Sequence, residues 1–271
     1  MKFLIFWDIY GKVGRKMLAK HLSDLRTKYG PDVVIANNEN ITHGKGPRMN
    51  QIEWCEEQGV DIMTGWNHTL ESMNDIAAFL DIPDSKQLRP DNIRGENISG
   101  TGHREFIFGG KKILVINLIG TIFMGDIMAN WEKCPTSNPY QKIDHILKDV
   151  DVSEYEAILV DFHKETTSEG YAMANHLDSR VSLLWGTHTH VQTADADIWP
   201  GGMGFLNDLG FAGARRSIIG VEWEAVKHRF IDDFQKWLMP PDDEGPGLLS
   251  GMYAEIIDRK CVKIEPFRIC E

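Results

Sequence analysis

Two histidines one residue apart lie in Gly186-Thr187-His188-Thr189-His190, and Asp161 and His163 repeat that spacing upstream. In an extended chain, residues i and i+2 project to one face, so such pairs can offer imidazole or carboxylate donors to a single metal centre. A lone His-x-His also fits two exposed loop histidines. Here it has company, because Asp8, Glu39 with Asn40, and Asn67 with His68 each follow an apolar run. Carboxylate, amide and imidazole donors without thiolate suit Fe, Mn or Zn. If two ions share the site, one carboxylate must bridge them, and Asp8 and Glu39 are the strand-end acids placed early enough for that role. Asp161 is expected to orient His163 or a neighbouring loop, since metal-bound imidazoles donate their other N–H to an acceptor.

Other polar residues carry weaker signals. Asn207 and Asp208 follow a further β-like run and could line the same edge. His21, His103, His145, His176 and His228 have no ligand-like neighbours, whereas His43, in a Gly- and Thr-rich loop, is the extra histidine placed to reach substrate. Lys12 and Arg15, near the start of the first helix, are candidates for holding phosphate, a solvated helix end being the plainer reading.

The elements that must position these residues alternate. Apolar runs at 2–7, 32–36, 60–64, 111–118, 157–160 and 181–185 read as strands, and 13–29, 51–58, 70–80 and 168–177 read as helices. That alternation predicts a central sheet covered by helices on both faces, with the candidate residues converging at the carboxyl ends of the strands, where ligands bind in open α/β sheets. The segments 252–257 and 261–267 flank Asp258-Arg259-Lys260 and suggest an antiparallel hairpin, which makes the sheet mixed. The Pro- and Asp-rich stretch 240–247 is read as a loop inside one domain covering residues 1–271.

Composition limits the partners. With 42% hydrophobic and 25% charged residues the chain is ordinary for a globular protein, and its net charge of -11 argues against a broad grip on nucleic acid. A small anion is still acceptable, because screening over roughly 8 Å isolates a cleft from distant carboxylates. Cys55, Cys134, Cys261 and Cys270 form no CxxC pair, so neither a zinc knuckle nor a disulfide framework is indicated. The apolar opening reaches Asp8 too soon for a signal peptide and no run approaches the ~20 residues of a membrane helix, so a cytoplasmic location without membrane contact is expected.

Five segments together, Asp8-Ile9-x-Gly11-Lys12-x-Gly14-Arg15, Ala36-Asn37-x-Glu39-Asn40, Asn67-His68, the run from Asp161 to Glu169 and the run from Gly186 to Asp195, resemble the YmdB-type bacterial metallophosphoesterases. The resemblance implies a four-layer α/β/β/α sandwich of mixed sheets flanked by helices. It also implies a dinuclear iron or manganese centre active on 2′,3′-cyclic nucleotides and other phosphodiesters. By position, Asp8, Glu39, Asn40 and His190 would hold one metal, and Glu39, Asn67, His163 and His188 the other. Glu39 would bridge, and His68 would stand beside them as the general acid. The sequence departs from the family where glycine is usual, carrying Trp7 before Asp8, Trp66 before Asn67 and Asn38 before Glu39. Indoles beside a cleft can stack a nucleobase, although simple packing under the loops is favoured.

The expected function is therefore hydrolysis of small phosphodiesters or cyclic nucleotides by a metal-bridged hydroxide, in a homo-oligomer, with an RNA end or RNA-processing partner held open. The alternatives are a phosphomonoesterase using the same metals, or a non-catalytic protein that senses a nucleotide or RNA.

Overall fold

The computed structural model describes residues 1–95, 98–124, 127–129, 132–231 and 241–271, with the side chains of residue 67 and of the short hairpin near residue 130 left aside. The chain runs β1 (Lys2–Phe6), α1 (Gly11–Tyr29), β2 (Val33–Asn37), α2 (Met49–Glu57), β3 (Ile62–Thr64), α3 (Asn67–Glu71) and α4 (Met73–Leu80). It continues through β4 (His103–Phe108), β5 (Lys111–Ile119), a hairpin of β6 (Ile127–Ala129) and β7 (Glu132–Cys134), α5 (Pro139–Asp149), β8 (Ala157–His163), α6 (Thr167–Leu177) and β9 (Leu183–Thr187). The last elements are β10 (Asp197–Ile198), β11 (Gly204–Leu206), β12 (Ala212–Ala214), α7 (Trp223–Ile231), β13 (Gly247–Ile257) and β14 (Lys260–Cys270).

These strands build two six-stranded sheets, where the alternation of elements alone suggested a single central one. In the first, β1 pairs in parallel with β2 and β2 with β3, while β13 runs antiparallel to β1, β12 and β14. In the second, the order is β10-β11-β9-β8-β5-β4, parallel from β11 to β5 and antiparallel at both edges. Side-chain alternation then decides the layers. Leu4, Phe6, Val34 and Ala36 point outward to Met17, Leu18, Leu22, Ile52 and Ile76 of the helices. Phe3, Ile5, Trp7 and Ile35 point inward to Val115, Leu159, Leu183 and Trp185 of the second sheet. That sheet's outer face, with Leu114, Ile116, Val160 and Leu184, meets Ile143, Ile146, Met173 and Leu177 of α5 and α6. The result is a four-layer α/β/β/α sandwich.

Several local features were not foreseen. The expected helix at 70–80 is two pieces, α3 starting at Asn67 and α4 starting at Met73. The amphipathic α5 opens on Asn138, whose side chain accepts from the Tyr140 and Gln141 N–H groups, with Pro139 at the first helical position. The loop after residue 240 is anchored, because Asp243 Oδ1 accepts from the Lys12 N–H at 3.4 Å at the start of α1 and Asp243 Oδ2 lies 3.3 Å from His43 Nδ1. Cys55, Cys261 and Cys270 are free, and Cys134 lies outside the described side chains. Among the described residues no helix is long and apolar enough to cross a membrane.

Helix α1 crosses β12 so closely that a Cβ on Gly14 would sit 2.3 Å from the Ala212 carbonyl oxygen. Alanine normally stabilises a helix interior by up to ~1 kcal/mol over glycine, but here the added methyl must push backbone apart. Gly14→Ala is expected to lower stability by about 1–3 kcal/mol in urea denaturation. A stabilised variant would show that the helix can move away freely.

Candidate active site

At the carboxyl ends of β1, β2, β8 and β9, the sandwich gathers Asp8, Glu39, Asn40, His163, His188 and His190 into one crevice. All lie in or just past those strands. Asp8 leaves β1 with φ of 40° and is held by backbone: the Ala212 N–H donates to the Trp7 and Asp8 carbonyls at 3.1 Å, and the Tyr10 N–H donates to Ala212 at 2.8 Å. Glu39 is turned inward as its own N–H donates to Asn37 Oδ1 at 2.9 Å. The Asn40 amide reaches both acids, Asp8 Oδ1 at 2.8 Å and Glu39 Oε1 at 3.2 Å, so the carboxylates sit around one small space. Half a turn about χ2 would put its carbonyl oxygen there, the form a cation requires.

The imidazoles complete two groups. His190 Nε2 faces Asp8 Oδ2 at 2.5 Å, while its Nδ1 is tied to the Ile219 carbonyl at 2.8 Å. His163 Nε2 faces His188 Nδ1 at 2.9 Å and Glu39 Oε1 at 3.7 Å. Each of these rings has its other nitrogen engaged: His163 Nδ1 by the Thr187 hydroxyl at 3.0 Å, and His188 Nε2 by Glu165 at 2.8 Å. The Thr187 hydroxyl has one proton, given to Asp161 Oδ1 at 3.3 Å, so it accepts from His163 Nδ1–H. That fixes the tautomer and leaves the Nε2 lone pair aimed into the crevice.

The extended-chain argument for His188 and His190 does not describe how they are brought in. Both have positive φ, 111° and 62°, and they diverge, one to His163 and the other to Asp8. Between them Thr189 is clamped by the wholly buried Asp208, which accepts from its N–H at 3.0 Å and its hydroxyl at 2.9 Å. Asp208 itself is raised above the usual carboxylate range by burial.

Burial and like charge dominate the electrostatics. Glu39 is lifted well above the usual carboxylate range by burial, then by Asp8 and Asp161, and burial pushes Asp161 up to about 8. Burial lowers His163 well below the ordinary imidazole value and lowers His188 too. Burial also lowers His190, but Asp8 beside it outweighs this and the net shift is upward. His190 Nε2 and Asp8 Oδ2 thus face each other across the position a cation would take.

The donors fit a metal centre in kind and in orientation. Glu39 Oε2 is buried without a hydrogen-bond donor, Asp8 Oδ2 meets only the His190 ring, and ring nitrogens 2.9 Å apart match neighbouring ligands at bonds of about 2.1 Å. Among the described residues no three His, Cys, Asp or Glu are already grouped to hold an ion. The Asn67 side chain lies outside the described residues, although its backbone opens α3 beside the crevice.

A cavity of about 380 Å³ opens onto the cluster and is lined by Glu39, Asn40, Trp66, His68, His188 and His190 together with Tyr10 and residues near α7. His68 Nδ1 lies 3.1 Å from Glu71 Oε1, which leaves Nε2 for the cavity. Trp66 stacks on His163 with ring centroids 3.6 Å apart, whereas Trp7 is fully buried between the sheets, its ring 5.8 Å from His163. Lys12 and His43 are exposed and do not line the cavity, and the Arg15 guanidinium is spent on the Ile41 carbonyl. Sequence reasoning gave no role to Glu71, Glu165, Thr187 or Ile219. The spacing of His68 and Glu71 by three on a helix could have revealed the first pair.

Layers and cluster together define a sandwich of the metallophosphoesterase type. The chain matches the model of the YmdB-like protein family over residues 4–267 and belongs to that family. It is 34% identical over 267 residues to a 2′,3′-cyclic-nucleotide 2′-phosphodiesterase of Bacillus subtilis (strain 168), covering 98% of this chain and 96% of that protein. A Thermus thermophilus protein of known structure, described as hypothetical, superposes with a TM-score of 0.88 at 31% identity over 100% of both chains. A Mycoplasma pneumoniae protein described as a novel phosphatase also gives 0.88, at 32% identity, over 100% of this chain and 94% of its own.

Because the Thr187 hydroxyl sets the His163 tautomer, Thr187→Val is expected to weaken Mn²⁺ binding about 10–100-fold in calorimetric titration. Unchanged affinity would mean that this hydroxyl does not orient a ligand.

Proposed function

We propose that this chain is a metal-dependent phosphodiester hydrolase that binds two cations, iron or manganese with zinc also suited, and cleaves small diesters such as 2′,3′-cyclic nucleotides. The observation that carries the reading is the facing of Asp8 on His190 and of His163 on His188, with Glu39 next to both groups. In this reading Asp8, Glu39, Asn40 and His190 hold one cation and Glu39, Asn67, His163 and His188 the other, with Glu39 shared. When bound, the cations supply Lewis acidity, neutralising phosphate charge and acidifying water.

The remaining work falls to the chain itself. The Ile219 carbonyl, Thr187 and Glu165 hold three imidazoles in the tautomers that present lone pairs inward. Trp66 covers one face of His163 and keeps water from it. His68 has Glu71 on Nδ1 and Nε2 turned to the cavity, so in its imidazolium form it can pass the Nε2 proton to the departing ribose oxygen and be left neutral. The Bacillus relative's description as a 2′,3′-cyclic-nucleotide 2′-phosphodiesterase supports this substrate class. The Mycoplasma relative's description as a phosphatase favours a second reading, a monoesterase with the same cations. Turnover of a diester against its monoester separates the two.

Asp8→Asn and His190→Ala are expected to lower bound metal in elemental analysis. By contrast, His68→Ala should retain metal while kcat on the diester falls by about 10²–10⁴. Loss of metal from the His68 variant would remove the acid assignment, and diester turnover that survives complete chelation would remove the whole reading.

A further inference from the structure

The cavity has two unlike ends. One holds the donors described above, and the other is walled by Tyr10, Ile218, Ile219, Val226 and Phe230, with Arg229 beside them. Within this wall the backbone takes a costly shape. Ile218 and Val221 exchange N–H···O bonds at 2.8 and 3.0 Å, closing a two-residue turn whose central residues, Ile219 and Gly220, have φ of 48° and 106°. Such a turn favours Asn-Gly, because positive φ is poorly tolerated by a β-branched side chain. Gly220 suits its place for a second reason, since a Cβ there would meet the Tyr10 ring at 2.8 Å. Ile219 has no such excuse: it is 53% exposed, so burial does not hold it there, and any residue could supply the carbonyl that binds His190. An unfavourable conformation kept at a site is a reason to ask what the side chain does there.

We propose that this wall is a subsite for the base of a nucleotide diester, with Ile219 and Phe230 as its specificity-determining contacts. The inference rests on the phosphodiesterase reading above and adds the part of the substrate that the donors cannot recognise. A phosphate drawn to the donor end leaves its nucleoside directed along the cavity, whose volume of about 380 Å³ falls in the range of small-ligand sites. The aromatic rings of Tyr10 and Phe230 and the branched side chains between them offer apolar surface to a planar ring. Phe230 is 64% exposed, an arrangement that leaves a large ring in water until a ligand covers it. Base selection is therefore expected to be loose, because apolar side chains and ring faces read shape and stacking rather than a donor pattern.

The test uses the full chain with bound metal, and the variants Ile219→Asn and Phe230→Ala. Asparagine keeps the backbone carbonyl and suits the turn, so that variant should melt at a higher temperature than the parent, and Phe230 is too exposed for its loss to unfold the chain. For each variant the ratio of kcat/KM on 2′,3′-cyclic AMP to that on base-free ribose 2′,3′-cyclic phosphate is expected to fall about tenfold, mainly through KM. Adenosine, which has no phosphate, should bind the parent chain in calorimetry and bind both variants about tenfold more weakly. Equal losses on the two cyclic phosphates, or no adenosine binding by the parent, would overturn the subsite. Variant-sensitive adenosine binding in a chain that hydrolyses neither diester would uphold the subsite and reject the phosphodiesterase reading instead.

Discussion

Asp8, Glu39 and Asp161 are each at most 1% exposed and converge in one crevice between two sheets, so their negative charge must be met from within. Burying carboxylates without a compensating positive charge is costly enough that such groups normally take up protons or coordinate metals. The pressure is visible in the upward shifts of Glu39 and Asp161 and in the upward shift of His190 beside Asp8. Much of the surrounding architecture serves to keep these groups facing each other in spite of that repulsion. In the proposed reading a pair of cations would resolve the conflict and turn it into binding energy, so that the donors and not the fold define the chemistry.

Backbone strain is concentrated in the same place. Asp8, His188, His190 and Ile219 all have positive φ, a conformation that costs on the order of 1–3 kcal/mol per residue outside glycine. The first three are over-determined by their neighbours: Ala212 grips the Asp8 loop, Asp208 clamps Thr189, and the Ile219 carbonyl pins His190. The intersheet core beneath, with Trp7 and Trp185 fully buried, gives these loops a rigid base. Trp7 and Trp66 follow from the same geometry, as they fill the space under and over His163 where the resemblance to the family implied glycine.

What could be read in advance was set by local periodicity and chemistry. The parallel strands appear as apolar runs ending in polar residues, and the polar residues that follow them are the ones that meet. Asp161 and His163 share a face through strand alternation, as their spacing implied, since both lie in β8. His188 and His190 come together for a different reason, two left-handed residues and a buried Asp208, none of which is encoded in a His-x-His spacing. Alternation of elements likewise left open that the inward face of β1 would meet a second sheet and not helices, because an apolar face does not name its partner. The resemblance of the motif segments to a known family supplied that layer. Strand β4 and helix α5 escaped notice because β4 is only half-buried and α5 commits just Pro139, Ile143 and Ile146 to the core. Glu165 and Thr187 were hidden because each acts through a histidine on another element, whereas the pairing of Glu71 with His68 lay within reach of helical spacing.

The central claim is best tested by anomalous diffraction from crystals of the chain grown or soaked with Mn²⁺. The account predicts two peaks roughly 3.5–4 Å apart, one against Asp8 and His190, the other against His163 and His188, with Glu39 between them. Peaks elsewhere, or none in a crystal of the folded chain at saturating Mn²⁺, would contradict it.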